Sequence, residues 1–177
     1  MFTTRKQLYR KSGKKGVDRF EFLQELVNEF YQSNSLESQE QVLANLANFA
    51  YDPLNYDYIR ELKIIELFLN GLQSRNPFFV EYCLKGICNL SNDPLNQEII
   101  FKHKGLNHIK EFVKSENPDL VKHGLTTLIF LLSSAFPSDV ATSDLIAQIQ
   151  LLKHSENQNI KNLATIFLEE SSGISSG

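Results

Sequence analysis

The chain has 177 residues, 42% hydrophobic and 22% charged, the balance of one ordinary globular domain rather than of a disordered or fibrous chain. Its net charge of −3 is unevenly spread: of 18 cations and 21 acids, residues 1–19 hold seven and one, leaving 11 and 20 to residues 20–177. No apolar run approaches the roughly 20 residues of a membrane span, and the opening MFTTRKQLYRKSGKKG lacks the apolar stretch of a secretory signal.

Residues 1–16 read as a basic arm, expected to be disordered. Its Arg5, Lys6, Arg10, Lys11, Lys14 and Lys15 are the candidate contacts to RNA or to an acidic partner. Such charges give salt-sensitive attraction, not sequence specificity. Apolar spacing then predicts helices over Val17–Gln32 and Glu37–Ala50. Asp52-Pro53 is a helix start, with a capping carboxylate and a proline where the missing N–H costs nothing. It opens a short helix over Leu54–Arg60, followed by one over Ile64–Leu72. Asn76-Pro77 marks a turn before Phe78–Ser91. Asp93-Pro94 repeats the start signal before Leu95–Lys102, Gly105 reads as a break, and Leu106–Lys114 follows. Asn117-Pro118 precedes Asp119–Ser133. Ser155-Glu156-Asn157 echoes Ser115-Glu116-Asn117, NLATIFLEE closes the array, and SSGISSG (171–177) reads as a flexible tail.

These elements recur with a period of 41 residues. D-P-L-N stands at Asp52–Asn55 and again at Asp93–Asn96. Leu43, Leu46 and Phe49 fall on Leu84, Ile87 and Leu90, and those on Leu125, Leu128 and Leu131. A helical repeat of this length is an armadillo or HEAT solenoid, and three helices per unit, one very short, favour armadillo. The expected fold is therefore all-α, an armadillo-type solenoid of three to four stacked repeats in a right-handed superhelix. Its domain spans 17–170 in units 17–51, 52–92, 93–134 and 135–170. No unit of this kind buries its own apolar face; each depends on its neighbours.

On the third helix the apolar arc holds Leu84, Ile87 and Cys88, and Asn89 lies opposite it at about 100° per residue. Asn48 is placed the same way in the unit before. Two asparagines at equivalent places would form a short ladder offering donors and acceptors to an extended peptide, or would satisfy the last carbonyls of their own helices. Phe130 breaks the ladder in the third unit, and Tyr51, Asn92 and Arg60 lie near it in the chain. Tyr51, Tyr56 and Tyr58 cluster beside the first D-P-L-N, as a base-stacking platform or as partly buried packing.

No sequence pattern carries chemistry. There is no phosphate-binding glycine loop, no H-E-x-x-H and no nucleophile elbow. His103, His108, His123 and His154 are not spaced as metal ligands, so no catalytic residue, metal or cofactor is expected. Cys83 and Cys88 point about 140° apart on one predicted helix and cannot bridge each other, which fits a reduced, intracellular protein.

EQVLANLANFAYDPLNYDYIRELKIIELFLNGL (Glu40–Leu72), GICNLSNDPLNQEII and NLATIFLEE (Asn162–Glu170) resemble the armadillo repeat-containing protein seven family, over roughly residues 17–170. LANFAYDP with the following NY is the specific part of that likeness. The resemblance implies a non-enzymatic, nuclear scaffold associated with pre-mRNA splicing, with the cytoplasm left open as a second location. Its implied partner is an RNA-recognition-motif protein of the minor spliceosome, the pair helping to hold the capped end of a small nuclear RNA. It also carries the peptide-binding asparagines of armadillo proteins onto Asn48 and Asn89. The alternatives are a general peptide-binding adaptor for transport or signalling, and direct RNA binding through the basic arm. A membrane and a small-molecule substrate are not expected.

Overall fold

A computed structural model describes residues 18–174. The expectations for residues 1–16 and for the last three residues of the tail lie outside that range. Eleven α-helices and two short 3-10 turns make up the described residues, with no strand among them. They are α1 (Arg19–Gln32) and α2 (Leu36–Phe49) in the first unit. The second holds a 3-10 turn (Pro53–Asn55), α3 (Tyr56–Glu61), α4 (Ile64–Gly71) and α5 (Pro77–Leu90). In the third are α6 (Pro94–Lys102), α7 (Gly105–Glu111), a 3-10 turn (Phe112–Lys114) and α8 (Pro118–Leu132). The fourth has α9 (Pro137–Val140), α10 (Ser143–Leu152) and α11 (Gln158–Ser172).

The helix starts follow from local hydrogen bonding. Asp52 accepts from Leu54 N at 3.1 Å and Asp93 from Asn96 N at 3.0 Å. Asn76, Asn117 and Asn157 do the same for α5, α8 and α11, at 2.9, 2.9 and 3.0 Å. Each asparagine or aspartate thus satisfies an amide that the helix itself cannot.

The helices expected over Leu54–Arg60 and Leu106–Lys114 are each an α-helix joined to a 3-10 turn, and two boundaries differ in kind from the sequence reading. Gly105 does not break a helix; it is the buried first residue of α7. The turn is made one residue earlier by Lys104 at φ 58, as by Lys63 at φ 55 one unit before. Gly105 is small for another reason, since a Cβ there would stand 2.6 Å from Leu69 Cδ2. At the far end α11 runs past residue 170 through Ser171 and Ser172, and Ser171 is buried.

The third helices α2, α5, α8 and α11 pack on one another in sequence, and the second helices α4 and α10 back α5 and α11. Leu43, Leu84 and Leu125 are each 0% exposed and belong to one continuous apolar core running from Leu23 to Phe167. Removing each such leucine from water stabilises the array by roughly 1.5–3 kcal/mol. Since that area is buried between units, stability and a regular outer surface have the same origin.

Candidate functional site

The D-P-L-N motif does more than start a helix. Asn55 and Asn96, at 1% and 0% exposure, donate to the end carbonyls of the preceding third helices, Phe49 O at 2.8 Å and Leu90 O at 3.1 Å. Their own carbonyl oxygens accept from arginines of the preceding unit. Arg19 Nη1 reaches Asp52 Oδ2 at 2.7 Å and Asn55 Oδ1 at 3.2 Å. Arg60 Nη1 reaches Asp93 Oδ1 at 3.0 Å and Asn96 Oδ1 at 2.8 Å, and its Nη2 pairs with Asp57. Arg19 and Arg60 are 41 residues apart, as are their partners. The Arg19 guanidinium and the amide of Leu54 hold the Asp52 carboxyl below the usual carboxylate range.

This clamp fixes the register of the third helices and so the spacing of the ladder on them. Tyr56 and Gln97, which follow D-P-L-N, extend it: Tyr56 OH donates to Asn89 O at 2.9 Å and Gln97 Nε2 to Phe130 O at 3.1 Å. At the last junction the pattern changes. Phe101 stands where Arg60 stood, and its ring meets Phe136 at a centroid distance of 5.0 Å.

Asn48, Asn89 and Phe130 occupy equivalent places on α2, α5 and α8, but their side chains are used differently. Asn48 is exposed, and its Oδ1 accepts from Lys85 Nζ at 3.1 Å, leaving its amide hydrogens outward. Asn89 is half-buried, not fully outward as the wheel predicts, because the neighbouring α2 covers it. Its Nδ2 donates to Ala47 O at 3.0 Å, so it caps the helix of the unit before rather than its own. Phe130 is half-buried beside them. Tyr51 is 78% exposed just past α2, and Asn92, its equivalent 41 residues on, is exposed too. Arg60 stands apart: its guanidinium, with an 18% exposed side chain, is committed to the clamp. Arg19, one of the seven cations of residues 1–19, belongs to the first clamp. Arg5, Lys6, Arg10, Lys11, Lys14 and Lys15 lie outside the described residues.

Further up the third helices, Glu81, Lys85, Asp119, Lys122 and His123 form a mixed charged patch. Burial holds the His123 pKa below its ordinary value, and Lys85 and Lys122 add to that against the opposing pull of Asp119 and Glu81. Sequence reading passed over this group, since its members are scattered across two units. The signal lay in their shared helix face, His123 standing 41 residues after Tyr82.

Of the tyrosines beside the first D-P-L-N, Tyr56 and Tyr58 are half-buried and pack against the core, while Tyr51 alone is outward. His103 faces Glu66, with Nε2 3.8 Å from Oε1, and no group of residues able to hold a metal ion occurs among the described residues. Cys83 and Cys88 are free and buried, and burial pushes their thiols up to about 12 and about 11. No described helix is long and apolar enough to cross a membrane.

Over 156 residues the chain is 51% identical to armadillo repeat-containing protein 7 of Mus musculus, a match covering 87% of this chain and 79% of the mouse protein. The chain belongs to the armadillo repeat-containing protein 7 family. No family model matches it. Among solved structures, an engineered protein superposes with a TM-score of 0.75 at 19% identity, covering 85% of this chain and 62% of its own. A computationally designed armadillo repeat protein for modular peptide recognition gives 0.75 at 13% identity, covering 84% and 63%. A designed armadillo repeat protein in complex with a (KR)4 peptide gives 0.73 at 13%, covering 84% and 64%. This chain therefore spans under two thirds of those designed chains, and at such identities they establish the armadillo fold alone. A member of the armadillo repeat-containing protein 7 family is thus an all-helical armadillo scaffold.

Proposed function

We propose that this chain is a non-catalytic, nuclear scaffold that binds an RNA-recognition-motif protein of the pre-mRNA splicing machinery, in the minor spliceosome. Through that partner it helps hold the end of a small nuclear RNA. The residues that carry partner binding are Asn48, Asn89, Tyr51, Asn92 and Phe130; Arg60 acts behind them by fixing the register. The observation that supports this most is the ladder on the stacked third helices. It offers the Asn48 side-chain amide, the Asn89 side-chain Oδ1 and the Phe130 ring in turn.

Stacked helices stand about 8–10 Å apart, and an extended chain advances about 3.3 Å per residue. Every third residue of a bound segment then meets a new unit. The array is already ordered, so little backbone entropy is lost on binding. Sequence kinship supports the splicing assignment, as the resemblance implies it.

The test is affinity purification from native cells, read by mass spectrometry, with the parent chain, Asn48→Ala, and Asn48→Ala with Asn89→Ala. Splicing RNA-binding proteins recovered by the parent and depleted by both variants, at unchanged helicity, is the expected result. Asn48→Ala alone guards against instability, since Asn48 caps nothing, whereas Asn89→Ala also frees Ala47 O. Unchanged recovery with either variant rejects the ladder. Recovery of cargo or motor proteins instead points to a transport adaptor.

A further inference from the structure

We propose that the first helices of units two to four form a second docking surface, for a basic amphipathic helix of a protein partner. Leu54, Leu95 and Phe136 are 71%, 53% and 46% exposed. They stand 41 residues apart, one per unit, Leu54 and Leu95 two residues after the capping Asp52 and Asp93 and Phe136 at the N-cap of α9. Asp52 accepts from Leu54 N at 3.1 Å and Ser134 Oγ from Phe136 N at 3.1 Å, although Leu54 lies within a 3-10 turn and Phe136 at the cap of α9.

Three residues beyond each apolar side chain stands an exposed carboxylate: Asp57, Glu98 and Asp139, again 41 residues apart. Leu95 and Glu98 share a face of α6, as residues three apart on a helix do, and Asp57 and Asp139 lie in the first turns that follow Leu54 and Phe136. An apolar row and an acidic row therefore run side by side along the array.

The fold accounts for the neighbours of Leu54 and Leu95 and not for those leucines themselves, while Phe136 shares its ring between this row and its contact with Phe101. In D-P-L-N the aspartate caps, the proline opens the helix and the asparagine ties the clamp, while the leucine is left to water. Single exposed apolar side chains are ordinary, but a row in register with a row of acids is a surface feature. Asp57 also touches Arg60, and Lys110 Nζ donates to the backbone oxygen of Asp139 at 2.6 Å. Glu98 makes no ion pair with a described residue. Residues 20–177 carry 20 acids against 11 cations, so the surroundings reinforce the sign.

The spacing selects a helix as occupant. Adjacent packed units repeat at about 10 Å, and seven residues of α-helix rise about 10.5 Å while completing nearly two turns. Apolar residues at every seventh position of one helix face would meet Leu54, Leu95 and Phe136 in turn. Lysine or arginine one turn from each would face the carboxylates. An extended strand matching the same distance in three residues would turn alternate side chains away. The acidic row sets orientation and encounter rate, and the apolar row holds the complex.

The probe is a labelled synthetic helix with three leucines seven residues apart and a lysine one turn from each, titrated against the full chain at low and high salt. A second probe carries glutamate for lysine. The lysine probe is expected to bind, more weakly at high salt, and the glutamate probe to fail. Leu54→Ser with Leu95→Ser should weaken the lysine probe about tenfold or more. Glu98→Lys with Asp139→Lys should reverse the preference between probes. Asn48→Ala should leave binding unchanged, which separates this surface from the third-helix ladder. Equal binding of both probes, or full binding by the leucine variant, overturns the proposal. So does tighter binding after removal of residues 1–16, which would assign the row to the chain's own basic segment. A dimer that dissociates on Leu54→Ser with Leu95→Ser would assign it to a second copy and overturn it as well.

Discussion

Replacing Arg60 by alanine should lower the melting temperature by about 4–12 °C, clearly more than the same change at Arg19. Arg60 lies 18% exposed and donates at 2.8 Å to Asn96, which is 0% exposed. Its removal leaves a buried carbonyl oxygen without a donor and a half-buried Asp93 without its cation. A buried polar atom stripped of its partner costs about 1–3 kcal/mol, and the pair together about 2–3 kcal/mol. For a chain of this size each kcal/mol moves the midpoint by about 2–4 °C. Arg19 makes the same contacts at half exposure, 49% for its side chain and 42% for that of Asp52, with a longer 3.2 Å bond to Asn55. Water replaces much of what it loses. Thermal unfolding followed by far-ultraviolet circular dichroism reads both variants. Arg60→Lys should recover only part of the loss, since an ammonium lacks the planar fork that meets two acceptors. Equal shifts for Arg19→Ala and Arg60→Ala, or an Arg60→Ala melt indistinguishable from the parent, would refute the clamp as a source of stability.

Gly86→Ala should destabilise by about 1–3 kcal/mol, because an added Cβ would land on the ring of Phe68 with that ring wholly buried. A denaturant midpoint checks it, and the same midpoint as the parent would mean that the helices separate freely. Stability should fall with pH in two steps. His123 has a folded-state pKa below its ordinary 6.5, so its contribution is present above that pH and lost as pH falls through the lower value. Asp52 and Asp119, hydrogen-bonded to Arg19 and Lys122, lie below 3.8 and add a second, shallow step below about pH 4. Melting temperatures measured from pH 8 to pH 3 test this, and a rise between pH 7 and pH 5 would contradict it. His123→Gln should remove the upper step alone.

The 41-residue period was legible because every unit buries the same apolar positions, and Leu43, Leu84 and Leu125 are buried in one core as that period requires. Helix ends were legible to within a residue or two where an aspartate or asparagine caps them. The role of Gly105 was not, because a glycine that breaks a helix and one that admits a neighbour's leucine look alike in sequence. The ladder was read in register but not in chemistry. A helical wheel places Asn89 opposite the core of its own unit and knows nothing of α2, whose Ala47 takes its amide. Arg60 was misplaced for the same reason, since its three acceptors lie three to 36 residues away, mostly across a junction. The sequence signal was available in Arg19 and Arg60, which share the period of the D-P-L-N motifs.

The substitution of Phe101 and Phe136 for the guanidinium clamp gives the array an order. A unit carrying Arg60 set against the fourth would meet an aromatic ring where it needs two oxygens. One carrying Phe101 in its place set against the second or third would strand an aspartate and a buried asparagine. The blocks are alike in outline yet not interchangeable. The first two junctions share one clamp and the last does not accept it, so a shuffled or domain-swapped assembly is penalised wherever it exchanges a partner across that last seam.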